Sequence, residues 1–222
     1  MSDLNEKVGR KVAVDNSIID ELETVSDFVR YCSSEMNRAE VYFGHGTDNA
    51  WDDAIALIFH AIDQPIALSN KVKDARLLRS EKLEILSLLD RRITDRIPVP
   101  YLTNHAVYAD LDFYVDERVL IPRSPIAELI ANHFEPWSSL DKVNNILELC
   151  TGSGCISVAM AYAFSDALIT ATDISTDALE VAEHNVELHG VQEQVALLES
   201  DVYQNIPTDQ KFDVIVSNPP YV

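Results

Sequence analysis

Positive charge is scarce in this chain. Its 222 residues carry 17 lysines and arginines against 37 aspartates and glutamates, a formal net charge of -20. Such a surface repels phosphates, so direct binding to nucleic acid is not expected. It suits a basic protein partner, and it equally suits plain solubility. Cysteine is sparse as well. Cys32, Cys150 and Cys155 are an odd set that fits a reducing cytosol and no disulfide scaffold. Their spacing matches no zinc pattern, so no metal is expected. No apolar run approaches the ~20 residues that span a bilayer. The opening Met1-Ser2-Asp3-Leu4-Asn5-Glu6-Lys7 lacks an apolar signal region. The expectation is a cytoplasmic protein that is neither exported nor held in a membrane. No internal repeat is present.

What is there is enough apolar material for a core. Hydrophobic residues make up 47% of the chain, which excludes global disorder. Residues 1–97 read as a small helical domain. Asp15-Asn16-Ser17 supplies N-cap candidates, and Ile18, Leu22, Val25, Val29 and Cys32 follow at helical spacing, widened by Phe28 and Met36. Gly44-His45-Gly46-Thr47 breaks the chain. Asp48 or Asn49 caps a second helix with Trp51, Ile55, Ile58 and Ile62 inward, ended by Gln64-Pro65. Ser80 caps a third, with Leu83, Leu86, Leu89 and Ile93 inward.

Residues 98–123 change character and read as a β-hairpin linker. Pro98 and Pro100 exclude a continuing helix. Val107, Ala109, Leu111, Phe113 and Val115 alternate at strand period, and Val119-Leu120-Ile121 reads as a second strand. Ser124-Pro125 then opens a helix whose apolar face is Ile126, Leu129, Ile130 and Phe134. From residue 143 strands alternate with helices. Strands are expected at Ile146–Leu149, Leu168–Thr172, Val195–Leu198 and Phe212–Val216. Helices are expected at Ile156–Phe164 and at Thr176–Leu188, the latter capped by Ser175 and closed by His189-Gly190. That alternation implies an α/β fold with a parallel, doubly wound sheet and ligands at the carboxyl ends of the strands.

Four features fall at those ends. Glu148-Leu149-Cys150-Thr151-Gly152-Ser153-Gly154-Cys155 joins a strand to a helix N-terminus, and Gly152 and Gly154 let backbone approach a ligand. The pair equally suits a tight turn. It lacks the third glycine of the dinucleotide fingerprint, so NAD is not expected. Asp173 follows the second strand, where a carboxylate accepts from ribose hydroxyls; a helix cap is the other use, and Ser175 competes for it. Asp201-Val202 follows the third strand, where a carboxylate can accept from the exocyclic amine of an adenine. Asn218-Pro219-Pro220-Tyr221 follows the fourth. An amide nitrogen is a poor nucleophile, because its lone pair is delocalised into the carbonyl. The Asn218 side-chain oxygen and the Pro219 carbonyl can each accept one N–H of an NH2 group and so turn the lone pair toward a methyl donor. Consecutive prolines stiffen this loop, and Tyr221 offers a flat face to a planar group.

With these residues the chain resembles the class I S-adenosylmethionine-dependent methyltransferases, and within them the HemK-like protein-glutamine methyltransferases. Ile97-Pro98-Val99-Pro100-Tyr101-Leu102-Thr103 and Phe113-Tyr114-Val115-Asp116-Glu117-Arg118-Val119-Leu120-Ile121-Pro122-Arg123 look like that family's hairpin. Pro122-Arg123-Ser124-Pro125-Ile126-Ala127-Glu128-Leu129-Ile130 and the stretch from Val41 to Trp51 look like its ribosomal-protein branch. The resemblance implies methyl transfer from S-adenosylmethionine to a glutamine amide of a basic large-subunit ribosomal protein. It implies a cofactor site from Glu148, Thr151, Gly152, Gly154, Asp173, Ile174, Asp201, Val202 and Asn218. It implies an acceptor site from Asn218, Pro219, Pro220 and Tyr221, and a docking role for the helical domain. A release-factor glutamine, a DNA adenine, or cofactor binding without catalysis are the rival readings. Where the family has Gly after Tyr-Leu-Thr, this chain has Asn104, which tolerates the positive φ of a turn. The family continues for several strands past Asn-Pro-Pro-Tyr. The expectation is therefore an incomplete sheet with an uncovered fourth strand, in a C-terminally truncated member of weak or no activity.

Overall fold

The computed structural model describes residues 16–44, 46–136 and 143–220. Asp15, His45 and Tyr221, each part of an expectation above, lie outside them. The chain divides into two compact units, Met1–Thr103 and Asn104–Val222.

The first unit is helical: α1 Asn16–Glu21, α2 Val25–Arg38, α3 Ala50–Ala61, a 3-10 turn Ile66–Leu68, α4 Ser69–Val72, α5 Arg79–Thr94 and α6 Val99–Thr103. The apolar stripe expected as one helix from Ile18 to Cys32 is two, because Thr24 starts a new one. The Asp27 amide donates to Thr24 Oγ1 at 3.2 Å, and the Thr24 amide donates back to Asp27 Oδ2 at 2.9 Å. This reciprocal cap satisfies two amides that a helix start leaves unpaired. Asn49 caps α3 as expected, its Oδ1 accepting from the amides of Trp51 and Asp52. The inward face of α3 matches the expected one at Ile58, with Ile55 and Ile62 half-buried against the core, but not at Trp51. Ala54, Leu57 and Ile58 are buried, whereas Trp51 is 51% exposed. In α5 the first cap is Leu78, not Ser80; its amide donates to Glu81 Oε2 at 2.6 Å. Leu86, Leu89 and Ile93 face inward with Ile85, while Leu83 is exposed. Pro98 and Pro100 end α5 but permit α6. Pro100 sits in its first turn, where a missing N–H costs nothing.

Phe28, Met36, Ile58, Phe59, Leu86 and Leu89 form the core of this unit. Inside it lies an ion pair. Arg92 Nε donates to Asp53 Oδ2 at 2.9 Å and Nη2 to the Tyr42 carbonyl at 2.8 Å, and Thr47 Oγ1 donates to the other Asp53 oxygen. Both side chains are nearly inaccessible, at 5% and 3%. A buried pair adds little net stability, yet removing one partner strands the other charge. Asp53→Ala should therefore cost about 3–5 kcal/mol by chemical denaturation, and the double variant Asp53→Ala/Arg92→Met clearly less. Equal losses from the two variants would sink this assignment.

The second unit opens with strands β1 Ala106–Tyr108 and β2 Leu111–Phe113, an antiparallel hairpin with Tyr108 opposite Leu111. Its two-residue turn, Ala109-Asp110, has φ of 50° and 61°, the geometry that suits the twist of the flanking strands. The alternation read through Val107 and Ala109 therefore breaks: Ala106 and Tyr108 point inward and Val107 is exposed. The expected strand at Val119–Ile121 is not formed; that segment is turn and loop. Asn104 does adopt φ 52° and donates from Nδ2 to the Val115 carbonyl. Helix α7, Ile126–Ala131, begins after Ser124, whose Oγ accepts from the Ile126 amide at 3.3 Å.

Then follow β3 Asn145–Leu149, α8 Cys155–Ala163, β4 Leu168–Asp173, α9 Thr176–Leu188, β5 Val195–Glu199 and β6 Val214–Ser217. The four strands form one parallel sheet in the order β5-β4-β3-β6. The central strand β3 is buried from Ile146 through Leu149, as a covered parallel sheet requires. Helix α8 is buried from Cys155 through Ala161, which identifies a core helix rather than an amphipathic surface one. Ile146, Val158, Met160, Ile169 and Ala171 anchor the core. Among the described residues β6 is an edge strand, and no helix is long and apolar enough to cross a membrane.

One polar side chain stitches this unit together. Asn185 of α9 is fully buried. Its Oδ1 accepts from the Tyr114 amide at 2.8 Å, and its Nδ2 donates to the carbonyls of Tyr114 and Ser153, both at 2.9 Å. Asn185→Leu removes these bonds and leaves three backbone groups unpaired. It should cost about 2–4 kcal/mol, whereas Asn132→Leu on the exposed end of α7 should cost well under 1 kcal/mol. Comparable denaturation midpoints for the two variants would refute the clamp.

Candidate functional site

The chain must turn sharply between β3 and α8, and it does so through left-handed backbone. Cys150, Gly152 and Gly154 have φ of 59°, 56° and 77°. The Thr151 amide still donates to the Thr172 carbonyl at 2.9 Å, so the turn stays moored to β4. The two glycines do different work. A Cβ on Gly152 would meet nothing within 4 Å, so this backbone borders open space. A Cβ on Gly154 would come within 3.2 Å of the Ala182 Cβ and 3.3 Å of its Cα. Gly154 thus lets α9 approach the turn; of the two uses open to the glycine pair, ligand approach or a tight turn, it serves the turn.

Glu148 lies behind this turn and is 1% exposed. Its Oε2 accepts from Thr151 Oγ1 at 2.7 Å and from Ser157 Oγ. Its Oε1 is buried without a hydrogen-bond partner among the described residues. Burial pushes the carboxyl up to about 7, against the pull of the Ser157 and Thr151 hydroxyls. Thr151, expected at the cofactor, spends its hydroxyl on Glu148. Ser157 was missed altogether; a serine one turn into a helix of small residues carries no signal of this contact.

At the end of β4, Ser175 wins the capping role, accepting from the Ala178 amide at 3.2 Å. Asp173 is left to the site. Its Oδ2 accepts from the Gly152 amide at 2.9 Å and its Oδ1 from the Ser175 amide at 3.0 Å. Two backbone donors fix the carboxylate, and each oxygen keeps a further lone pair. Ile174 beside it is 66% exposed, and after β5 Val202 is 48% exposed next to exposed Asp201. Val202 has φ 50°, strained for a β-branched residue. The turn is tied by Ser200, whose Oγ accepts from the Asn205 amide at 3.0 Å.

At the end of β6, Ser217 pairs with Leu149, and Ser217 Oγ donates to the Leu149 carbonyl at 2.9 Å. This register carries Asn218 to the level of the glycine turn. Pro219 and Pro220 follow, both exposed. At its other end β6 is pinned by Asp213, whose Oδ2 accepts from the amides of Asn144 and Asn145 at 2.8 and 2.9 Å. Those two N–H groups hold the Asp213 carboxyl below its ordinary value.

One cavity gathers several of these groups. Its walls are Glu148, residues 150–153, Cys155, Ile156 and Asn218, closed by residues 120–124. Gly154, Asp173, Ile174, Asp201 and Val202 lie outside that lining. The wall from Leu120 to Ser124 was missed, because the apolar Val119-Leu120-Ile121 was read as strand. Pro122 and Pro125 were the available signal for loop.

The raised Glu148 value has a consequence for stability. A carboxyl that binds its proton more tightly when folded stabilises the fold most below its unfolded value near 4.5. That contribution is lost as pH rises through about 7. Glu148→Gln, which keeps the shape and cannot ionise, should match the wild type near pH 4.5 and exceed it by on the order of 2–3 kcal/mol near pH 8. A gap in urea-denaturation free energy that does not widen with pH would contradict the buried-carboxyl assignment.

Residues 127–222 match the family model described as "Methyltransferase small domain". The chain is 46% identical over 208 residues to the ribosomal protein uL3 glutamine methyltransferase of Neisseria gonorrhoeae, covering 93% of this chain and 69% of that relative. It is 47% identical to the protein of the same name from Neisseria meningitidis serogroup B, with 93% and 68% covered. To the Francisella tularensis subsp. tularensis protein of that name it is 47% identical, with 92% and 65% covered. The chain thus spans about two thirds of the length of these relatives and aligns over nearly all of its own. It belongs to the family of ribosomal protein uL3 glutamine methyltransferases.

Proposed function

We propose that this chain transfers a methyl group from S-adenosylmethionine to the side-chain amide nitrogen of a glutamine in ribosomal protein uL3. The observation that carries this reading is the shared cavity. The open face of the glycine turn and Asn218 border the same space, so a donor and an acceptor held there would meet. The family's name supplies the substrate.

The residues present fit the cofactor. Gly152 leaves room for a ligand against its backbone, and Glu148 Oε1 is a buried acceptor in need of a donor. Asp173 and Asp201 would take hydrogen bonds from the ribose and the adenine, and Ile174 and Val202 would supply apolar surface. Thr151 and Gly154 support the site from behind. When bound, S-adenosylmethionine supplies an electrophilic methyl group on a sulfonium.

The chain's own task is to present the amide. Asn218 Oδ1 and the Pro219 carbonyl each accept one amide N–H, which turns the nitrogen lone pair toward the cavity and weakens its conjugation. Pro219 and Pro220 keep the loop stiff, and Tyr221 would pack on the planar group. The surplus proton leaves the nitrogen for water after transfer. The helical unit docks the substrate protein, and the net charge of -20 favours a basic partner over nucleic acid. Such a partner makes the cytoplasm the place of reaction.

The test is to incubate the purified chain with S-adenosylmethionine and unmethylated uL3, then locate added methyl by peptide mass spectrometry. Methyl on one glutamine is expected. A chain that binds cofactor yet modifies no glutamine would overturn the reading. Asn218→Ala should lower transfer by about two orders of magnitude and leave cofactor affinity, read by calorimetry, little changed. Parallel loss of both would deny Asn218 the orienting role.

A further inference from the structure

The Glu148 carboxyl is built asymmetrically. One oxygen accepts from two hydroxyl donors, and the other has no hydrogen-bond partner among the described residues. The orphan oxygen belongs to a residue that is 1% exposed and lines the cavity. A purely structural carboxylate would be satisfied on both sides, because an unpaired buried acceptor costs about 1–3 kcal/mol. Protonation resolves the conflict in the empty cavity, since a neutral carboxyl tolerates burial. A cation brought against the orphan oxygen resolves it in the opposite sense, since an opposite charge within a few ångströms favours the ionised form.

The groups around Glu148 point the same way. Asp173 at the end of β4 adds negative charge and opposes ionisation. Cys155 at the start of α8 is buried, its thiol pushed up to about 12, and Cys150 is also raised. Both are neutral at working pH, as is the Tyr108 phenol of β1, raised further by its burial. Arg123 stands at the cavity wall, exposed to solvent, where water screens its charge. No element packed against Glu148 supplies a buried cation among the described residues.

We propose that Glu148 is a proton-exchanging ligand for the cofactor: neutral in the empty cavity, ionised when a cationic group of S-adenosylmethionine stands against its orphan oxygen, so that binding releases one proton to solvent. Glu148 O–H breaks, the proton goes to buffer, and the new charge is neutralised by the ligand's cation. Cofactor affinity then rises with pH up to the point at which the empty site is itself ionised. This rests on the cofactor reading given above.

Isothermal titration calorimetry of the chain with S-adenosylmethionine, near pH 6 in two buffers of different ionisation enthalpy, counts the proton. The wild type should release about one proton more than Glu148→Gln, and the difference should fade above about pH 8. Histidines common to both proteins cancel in the difference. Carbon-13 NMR of labelled glutamate carboxyls gives a second reading on the wild type alone, should the variant fold poorly. One resonance should be protonated near pH 6 in the empty chain and ionised on saturation with cofactor. Binding with equal proton release from both proteins overturns the proposal, as does a carboxyl that stays protonated in the complex. A wild type that does not bind S-adenosylmethionine overturns the cofactor reading, and this inference with it.

Discussion

The second unit depends on the amide of Asn185. The chain leaving the hairpin, at Tyr114, and the glycine turn, at Ser153, lie far in sequence from the helix that carries Asn185, and between them they present three backbone groups to it. One buried side chain, with one acceptor and two donors, meets all three needs at once. Such a group is costly when half satisfied and specifying when fully satisfied. It also explains why α9 must come close, and hence why residue 154 has no side chain: a methyl there would press on Ala182. The glycine turn is shaped from behind by packing, and only its front, at Gly152, is free for a ligand.

The two units hold buried charge in contrasting ways. In the helical unit Arg92 and Asp53 neutralise each other, and two further groups, the Tyr42 carbonyl and the Thr47 hydroxyl, complete their hydrogen bonds. That arrangement is closed and asks nothing of a ligand. In the α/β unit Glu148 has hydroxyls on one oxygen and, among the described residues, no hydrogen-bond partner on the other. The difference separates an ion pair closed within the fold from a carboxyl left half satisfied beside a cavity.

Much of this was legible from residue pattern alone. A parallel sheet brings the carboxyl ends of its strands to one edge, so Glu148, Asp173, Asp201 and Asn218 were bound to share it once the alternation of strand and helix was recognised. Ser175 as a cap and Asn49 as another follow from side-chain chemistry that acts over three residues. What stayed hidden depends on longer range or on weaker signals. The apolar stripe from Ile18 runs unbroken through the gap before Thr24, so periodicity could not reveal a new helix start. Ala109-Asp110 turns a hairpin without the glycine or asparagine that usually marks one, and the strand faces inverted accordingly. Trp51 looked like core because it is large and apolar, yet the smaller Ala54 holds that place. Residues 120–124 lie in the site only because of where the fold lays them, and Ser157 binds Glu148 across nine positions of chain.

Strand β6 is held at both extremities: Asp213 grips the amides of Asn144 and Asn145 at the start of β3, and Ser217 bonds the carbonyl of Leu149. A strand slipping by one residue exchanges its two faces, which would carry Asn218 away from the cavity. The aspartate at the far end therefore acts as the zero mark of a ruler, and the asparagine four residues past the strand's first is read off against it. The placement of the Asn218 loop is set at the opposite end of the strand, by a carboxylate that lies outside the cavity lining.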